Sequence, residues 1–311
     1  MIRVEKWNGA GNDFVIADAD ELDDPSALAR VICDRETGIG ADRETGIGAD
    51  EPAVRTGADG LLALSIEDGS DGDDGSALPR VRMRLYQPDG GTAEMCGNAA
   101  RCVAAWGAKR TGSRELLIDP PAGERRAVVE PDAVDGDGEV EVEMGRPSFD
   151  PADVPLATDD PLTREPVSSV TDDPAIEGMD LMVTAVDTGV PHAVVIVGDV
   201  DEVDLDRVAP PIRHAAVFPE GTNVTIAAAR GDGFDQRTYE RGVEGETQAC
   251  GTGAVAVGAV AAHIGPVEWP VEVRPPGGTL GVSVPVDGPA TLRGPVEQEY
   301  VAELDPDVAH R

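Results

Sequence analysis

Apolar and polar positions change period several times along the chain, and each change marks an element. Residues 2–6 alternate and 13–17 run apolar on either side of "NGAGN" (8–12), which predicts a hairpin-like strand pair. "DPSALARVICDR" (24–35) has helical spacing, with Asp24 or Ser26 at its start and Cys33 among its apolar positions. "GLLALSIED" (60–68) and "RVRMRLYQ" (80–87) predict strands. "CGNAARCVAAWGAKRTG" (96–112) predicts a helix with small residues early and a glycine stop. "GEVEVEMG" (138–145) alternates as a strand, and the proline-rich "RPSFDPADVPL" after it predicts a crossover.

A second series follows. "LMVTAVDTGVPHAVVIVGD" (181–199) predicts two strands around a Gly-x-Pro-His turn, and "DEVDLDRVAPPIRH" (201–214) a helix closed by its prolines. "TNVTIAAA" and "FDQRTYERG" predict strands, and "CGTGAVAVGAVAAHIG" (250–265) a helix. The two series echo each other. Arg84-x-Tyr86 leads to Cys96 after a loop with Gly and Glu, and Arg237-x-Tyr239 leads to Cys250 in the same way. "NGAGNDFVIAD" and "DTGVPHAVVIVGD" form a second matched pair upstream. Matched features in one order predict two pseudo-symmetric α/β domains with a cleft between them. One repeat is of another kind: "DRETGIGA" stands at 34–41 and again at 42–49, and reads as a local duplication in a surface loop.

Composition sharpens this. A length of 311 residues suits two domains better than one core. Aromatics are only 3% of the chain, so Val, Ala, Leu and Ile must fill the cores. No run approaches the ~18 apolar residues of a membrane span, and the first residues lack a signal peptide's apolar core. A soluble, cytoplasmic protein with no membrane partner is expected. The chain holds 60 Asp and Glu against 25 Lys and Arg, a formal net charge of −35. That surface repels nucleic acid and points to adaptation to molar salt, where self-repulsion is screened.

The cysteines stand at 33, 96, 102 and 250, a spacing that fits neither a disulfide framework nor a metal site. Cys33 and Cys102 read as core residues. Cys96 and Cys250 each stand immediately before a glycine at a predicted helix start. A helix start offers unpaired N–H groups and the positive end of the dipole, which can cradle a carboxylate and favour a thiolate. Two such thiols facing one bound α-amino acid could invert its stereocentre, one removing the α-proton and the other returning one. The pyridoxal alternative needs a lysine, and Lys6 and Lys109 are the only two. A cofactor-independent route is therefore expected.

Six blocks in order, "KWNGAGNDF", "TGIGAD", "PDGGTAEMCGNAARC", "DTGVPHAV", "FPEGTNV" and "YERGVEGETQACGTGA", cover nearly the whole chain. They resemble diaminopimelate epimerase, a pyridoxal-independent amino-acid epimerase of lysine biosynthesis. The resemblance implies two similar domains, each a sheet wrapped around a central helix, often in a dimer. The expected division is 1–143, with about 290–311 returning to it, and 144–289. It implies Cys96 and Cys250 as the bases, with His192 and Glu240 beside the thiols. Asn12, Asn223, Glu240 and Arg241 would bind substrate, Arg241 through its distal carboxylate. Backbone N–H groups of Gly97, Asn98, Gly251 and Thr252 would hold the reacting carboxylate. Gln87 stands where the family usually has Asn and is carried over as a substrate contact; Val190 and Ala99 also depart from the pattern, replacing Asn and Gly. Alternatives stay open: a proline or hydroxyproline racemase of the same architecture, which typically has His where this chain has Asn98, or a thiol redox sensor without turnover. A metal module using Cys96, Cys250 and His192 would lack compact ligand spacing.

Overall fold

A computed structural model describes residues 1–40, 56–67 and 78–305. The second tandem copy and most of the acidic run at 67–76 lie outside them. The chain divides into two compact units, Met1–Val142 with Gly294–Arg311, and Glu143–Arg293.

The first unit begins with β1 (Ile2–Gly9) and β2 (Asn12–Asp18), the expected antiparallel pair. Helix α1 (Pro25–Ile32) follows, its first turn capped by the Asp24 carboxylate accepting from Ala27 N–H at 2.9 Å. Then come β3 (Gly60–Glu67), β4 (Arg80–Tyr86), β5 (Thr92–Ala93) and α2 (Gly97–Thr111). Helix α2 stops where Gly112 turns left-handed at φ 71°, a conformation that favours glycine. Strands β6 (Glu115–Asp119) and β7 (Arg125–Val129), short α3 (Pro131–Asp135) and β8 (Asp137–Gly145) complete the series.

The second series runs through β9 (Glu165–Pro166), α4 (Val167–Val170), β10 (Met182–Asp187), β11 (Pro191–Val197) and α5 (Leu205–Arg213). It continues with β12 (Asn223–Arg230), β13 (Gly233–Glu240), β14 (Gly245–Glu246), α6 (Gly251–Ile264), β15 (Val271–Arg274), β16 (Leu280–Ser283) and β17 (Ala290–Leu304).

The pairing order repeats. In the first unit β1–β2 is antiparallel, β2–β3 parallel, β3–β4 antiparallel, β4–β6 parallel and β6–β7 antiparallel. In the second, β10–β11, β11–β12, β12–β13, β13–β15 and β15–β16 follow the same sequence of senses. The first ring closes, because β7 pairs with β8, β8 with β17, and β17 with β1. Inside it, α2 packs against β1, β2, β3, β4, β6 and β7; α6 packs against the matching set β10, β11, β12, β13, β15 and β16. Each is buried all round over most of its length, which is why both are built of Ala, Gly and Val rather than one apolar stripe.

The backbone approaches are close. A Cβ at Gly9 of β1 would lie 2.8 Å from the Asn98 carbonyl oxygen and 3.1 Å from Cys102 Sγ, so only glycine lets that strand touch α2 here. Among the described residues no helix is long and apolar enough to cross a membrane.

Two expectations need correction. Pro210 and Pro211 lie inside α5 instead of closing it. The carbonyls that lose a partner, four residues back, belong to Asp206 and Arg207, and both residues are exposed. The first tandem copy is not simply a surface loop. Ile39 packs in the first unit's apolar core, and its carbonyl accepts from Gly57 N–H at 2.8 Å. Strands β6, β7, β15, β16 and β17 had no counterpart among the sequence expectations.

Candidate functional site

In the first unit Cys96 is the residue before α2, in extended conformation and half-buried. Gly97 and Asn98 open the helix and are buried. Asn98 Nδ2 donates to Asn12 Oδ1 at 2.6 Å, and Asn12 Nδ2 donates to Asp59 Oδ2 at 3.0 Å. At the other end of this series Arg101 Nη2 donates to Asn98 Oδ1 at 2.7 Å. Arg101 can only donate and Asp59 can only accept, so the two charged ends fix which way both amides face.

Arg101 has no exposed surface and no carboxylate partner among the described residues; its Nε is buried without a hydrogen bond. Burial pushes its pKa down to about 10. Asp59 is held by Arg35, which also makes a two-pronged ion pair with Asp13, at 2.6 and 2.9 Å. Lys6 Nζ completes the cluster 2.7 Å from Asp13. Burial alone would raise the Asp13 carboxyl, but Arg35 and Lys6 outweigh it and hold it below the usual range. Lys6 is thus a buried structural cation, and Lys109 donates to Gln298 at 2.8 Å.

In the second unit Cys250 precedes α6 in the same way and is buried. Its sulphur accepts from Gly253 N–H at 3.4 Å and lies 3.4 Å from Thr252 Oγ1. Strand register assembles the rest. His192 of β11 pairs with Asn223 of β12, and Thr225 of β12 with Thr238 of β13. Residues two apart in a strand share a face, so His192, Asn223, Thr225, Gln236 and Thr238 form one polar group in an aliphatic interior. His192 Nε2 lies 3.0 Å from Thr252 Oγ1 and Nδ1 3.1 Å from Thr225 Oγ1. Burial, with the charge of Arg241 adding to it, pushes the imidazole pKa down to about 3, so the ring is neutral. Asn223 Oδ1 accepts from Arg241 N–H at 2.7 Å. Arg241 Nη1 donates to the Glu220 and Gly221 carbonyls, and Nε and Nη2 have no partner among the described residues.

The expected residues therefore fall into two groups, Asn12, Cys96, Gly97 and Asn98 in one unit, and His192, Asn223, Arg241, Cys250, Gly251 and Thr252 in the other. Glu240 ends β13, and its carboxylate accepts from the Thr247 hydroxyl. Gln87 stands exposed at the turn after β4, where its N–H donates to Gly91 O at 2.8 Å. His192 reaches Cys250 through the Thr252 hydroxyl. Cys33 and Cys102 are buried, and burial pushes both thiols up to about 12. Sequence reasoning passed over Arg101, Asp59, Thr225, Gln236 and Thr238. The signal was there for Thr225 alone, a polar residue two after Asn223 in an otherwise aliphatic strand.

A family profile described as diaminopimelate epimerase matches residues 56–149 and 184–298. The chain is 37% identical over 318 aligned residues to a diaminopimelate epimerase of Methanocella arvoryzae, covering 98% of each. It is 36% identical to one of Methanothrix thermoacetophila, covering 96% of this chain and 97% of that one. Among solved structures, a predicted epimerase from Pseudomonas aeruginosa matches with TM-score 0.59 and 19% identity, over 98% of this chain and 99% of the other. A hydroxyproline epimerase from Agrobacterium vitis matches with TM-score 0.58 and 15% identity, over 99% and 93%. These two likenesses speak to the fold alone.

Proposed function

The chain belongs to the diaminopimelate epimerase family, and from that membership we propose that it converts L,L-diaminopimelate to the meso form without a cofactor, using Cys96 and Cys250 as its acid and base. One observation carries the reading. The same fold unit occurs twice, and each copy sets a cysteine at the mouth of its enclosed helix, followed by small residues.

A thiolate at one helix mouth takes the α-proton. The charge left behind spreads into the adjacent carboxylate, which the helix-start N–H groups of Gly97, Asn98, Gly251 and Thr252 hold. The thiol at the other helix mouth returns a proton to the opposite face, and the stereocentre inverts. Burial has taken Cys33 and Cys102 out of this chemistry, since thiols with pKa about 12 exchange no protons usefully near neutrality. Arg241, anchored by two backbone carbonyls and with donors to spare, is suited to the substrate's distal carboxylate. Asn12 keeps one amide hydrogen beyond the one it gives Asp59, and Asn223 keeps both of its own, which suits the substrate's polar groups. Gln87 and Glu240 complete the proposed set, the first as a substrate contact and the second beside the thiols.

The test is NMR of L,L-diaminopimelate with the enzyme in D₂O. Meso product with deuterium at the inverted α-carbon is expected. Cys96→Ser and Cys250→Ser should each lose at least about a hundredfold in rate, as removal of a general acid or base does, and Cys102→Ser should stay near parental. Inversion of proline with none of diaminopimelate would sink the substrate assignment. Near-parental turnover by either serine variant would sink the paired thiols.

A further inference from the structure

Behind Cys250 runs an unbroken hydrogen-bonded series of side chains: Gln236, Thr238, Thr225, His192 and Thr252. The links are Gln236 Nε2 to Thr238 Oγ1 at 2.9 Å, Thr238 to Thr225 at 3.2 Å, and Thr225 to His192 Nδ1 at 3.1 Å. Then His192 Nε2 meets Thr252 Oγ1 at 3.0 Å, and Thr252 Oγ1 meets Cys250 Sγ at 3.4 Å. Taken singly, each hydroxyl link could run either way, because a hydroxyl both donates and accepts.

The far end removes that freedom. Gln236 Nε2 also lies 3.3 Å from the Cys250 carbonyl oxygen, which can only accept. Turning the amide round would set two oxygens against each other there, so the NH₂ group faces both the carbonyl and Thr238. Thr238 accepts from it and passes its own hydrogen to Thr225. Run the other way, the Thr238 hydrogen would have no acceptor among the described residues, a costly omission in a buried site. Thr225 then donates to Nδ1. The neutral ring carries its one hydrogen on Nε2 and gives it to Thr252. The Thr252 hydroxyl hydrogen is left for sulphur, beside the Gly253 N–H that already points there. Asn223 Nδ2 stands 3.4 Å from Nε2, longer than the ~2.7–3.2 Å of a good bond, and keeps its hydrogens for another acceptor.

We propose that Gln236 and Thr238 are positioning residues that hold His192 as its Nε2–H tautomer and so turn the Thr252 hydroxyl hydrogen onto the Cys250 sulphur. Two donors converging on one sulphur favour the thiolate, which is the better acceptor. The proposal rests on Cys250 being one of the two acid/base groups, but the tautomer is measurable without turnover.

Thr238→Val keeps the shape and breaks the series; Thr238→Ser keeps the hydroxyl. Nitrogen-15 NMR of the imidazole should report Nε2–H in the parent and in Thr238→Ser, and a shift toward Nδ1–H or a mixture in Thr238→Val. Alkylation of Cys250 by iodoacetamide, followed by peptide mass spectrometry, should slow roughly threefold to tenfold in Thr238→Val, the loss of about one hydrogen bond. Cys96 in the same sample is the internal control and should react as before. If Thr238→Val does not fold, Gln236→Met removes the amide donor that fixes the direction of the Thr238 hydroxyl and carries the test. An Nδ1–H tautomer in the parent would overturn the proposal, as would a folded variant with unchanged tautomer and Cys250 reactivity. If instead Cys250→Ser kept full epimerase activity while the tautomer behaved as expected, the catalytic reading would fail and the hydrogen-bond polarity would stand.

Discussion

His192 has no exposed surface, and its pKa of about 3 lies below the ~6.5 of an unfolded histidine. As the pH falls, the unfolded chain therefore takes up this proton first. The stability due to the neutral buried ring is complete above about pH 6.5 and declines from there toward pH 3. Between pH 7.5 and 5 the loss is about 2 kcal/mol, since a pKa difference this large acts almost fully across the window. Urea unfolding of the parent and of His192→Gln, in the same salt, isolates it, because the carboxylates and the other histidines cancel in the difference. The parent should lose about 2 kcal/mol more than the variant over that range. Parallel pH curves would mean that the imidazole is not buried neutral.

At the scale of elements, the enclosed helices depend on positions where no side chain fits. A Cβ at Gly107 of α2 would lie 2.7 Å from Val81 Cγ2, and one at Gly258 of α6 would lie 2.8 Å from Val282 Cγ1. Valine is stiff at χ1 and cannot swing aside. In a solvent-facing helix Gly→Ala would gain up to about 1 kcal/mol of propensity. Here overpacking costs about 1–3 kcal/mol and decides the sign. Gly107→Ala and Gly258→Ala should both lower the urea midpoint, and a raised midpoint in either would show room that the strand contacts deny.

The same two helices were the most legible part of the sequence, because Cys-Gly followed by a run of small residues announces both the helix start and a close approach. The thiols, His192 and Asn223 were legible as motifs. Arg101, Gln236 and Thr238 were not, because their meaning comes from strand register and burial, which no local pattern encodes. Strand β17 was missed for a related reason. Its Gly294-Pro295 pair interrupts the local signal, while Thr291–Arg293 pair with β16 and the residues from 297 onward pair with β1. The α5 prolines misled because a proline inside a helix costs a hydrogen bond and a ring clash but does not always end it, and here both fall late in a short helix whose Asp206 and Arg207 are exposed.

At the scale of the whole molecule the dominant quantity is charge. The excess of acids is 35, from 60 Asp and Glu against 25 Lys and Arg. Two electrostatic effects of salt oppose each other. Exposed ion pairs such as Arg126–Glu115, each side chain about half exposed (49%), lose attraction when screened. Such pairs are worth only about 0–1 kcal/mol each. The buried Lys6–Asp13 pair, with no exposed side-chain surface, is screened little. Against these stands repulsion among the unmatched carboxylates, which acts over many pairs and eases as the Debye length shrinks from about 10 Å at 0.1 M to about 3 Å at 1 M. Repulsion should win, so salt should stabilise. Thermal melts in KCl test this, provided that screening is separated from the general salting-out of apolar surface. Screening acts mostly below about 0.5 M, whereas strengthened apolar burial grows steadily with concentration. The midpoint should therefore rise most steeply between 0.05 and 0.5 M KCl, by several degrees, since about 1 kcal/mol moves the midpoint of a domain this size by roughly 2–4 °C. An added uncharged osmolyte should not reproduce that early rise. A midpoint flat below 0.5 M that climbs only above 1 M would mean that the acidic surface is not what makes the fold respond to salt.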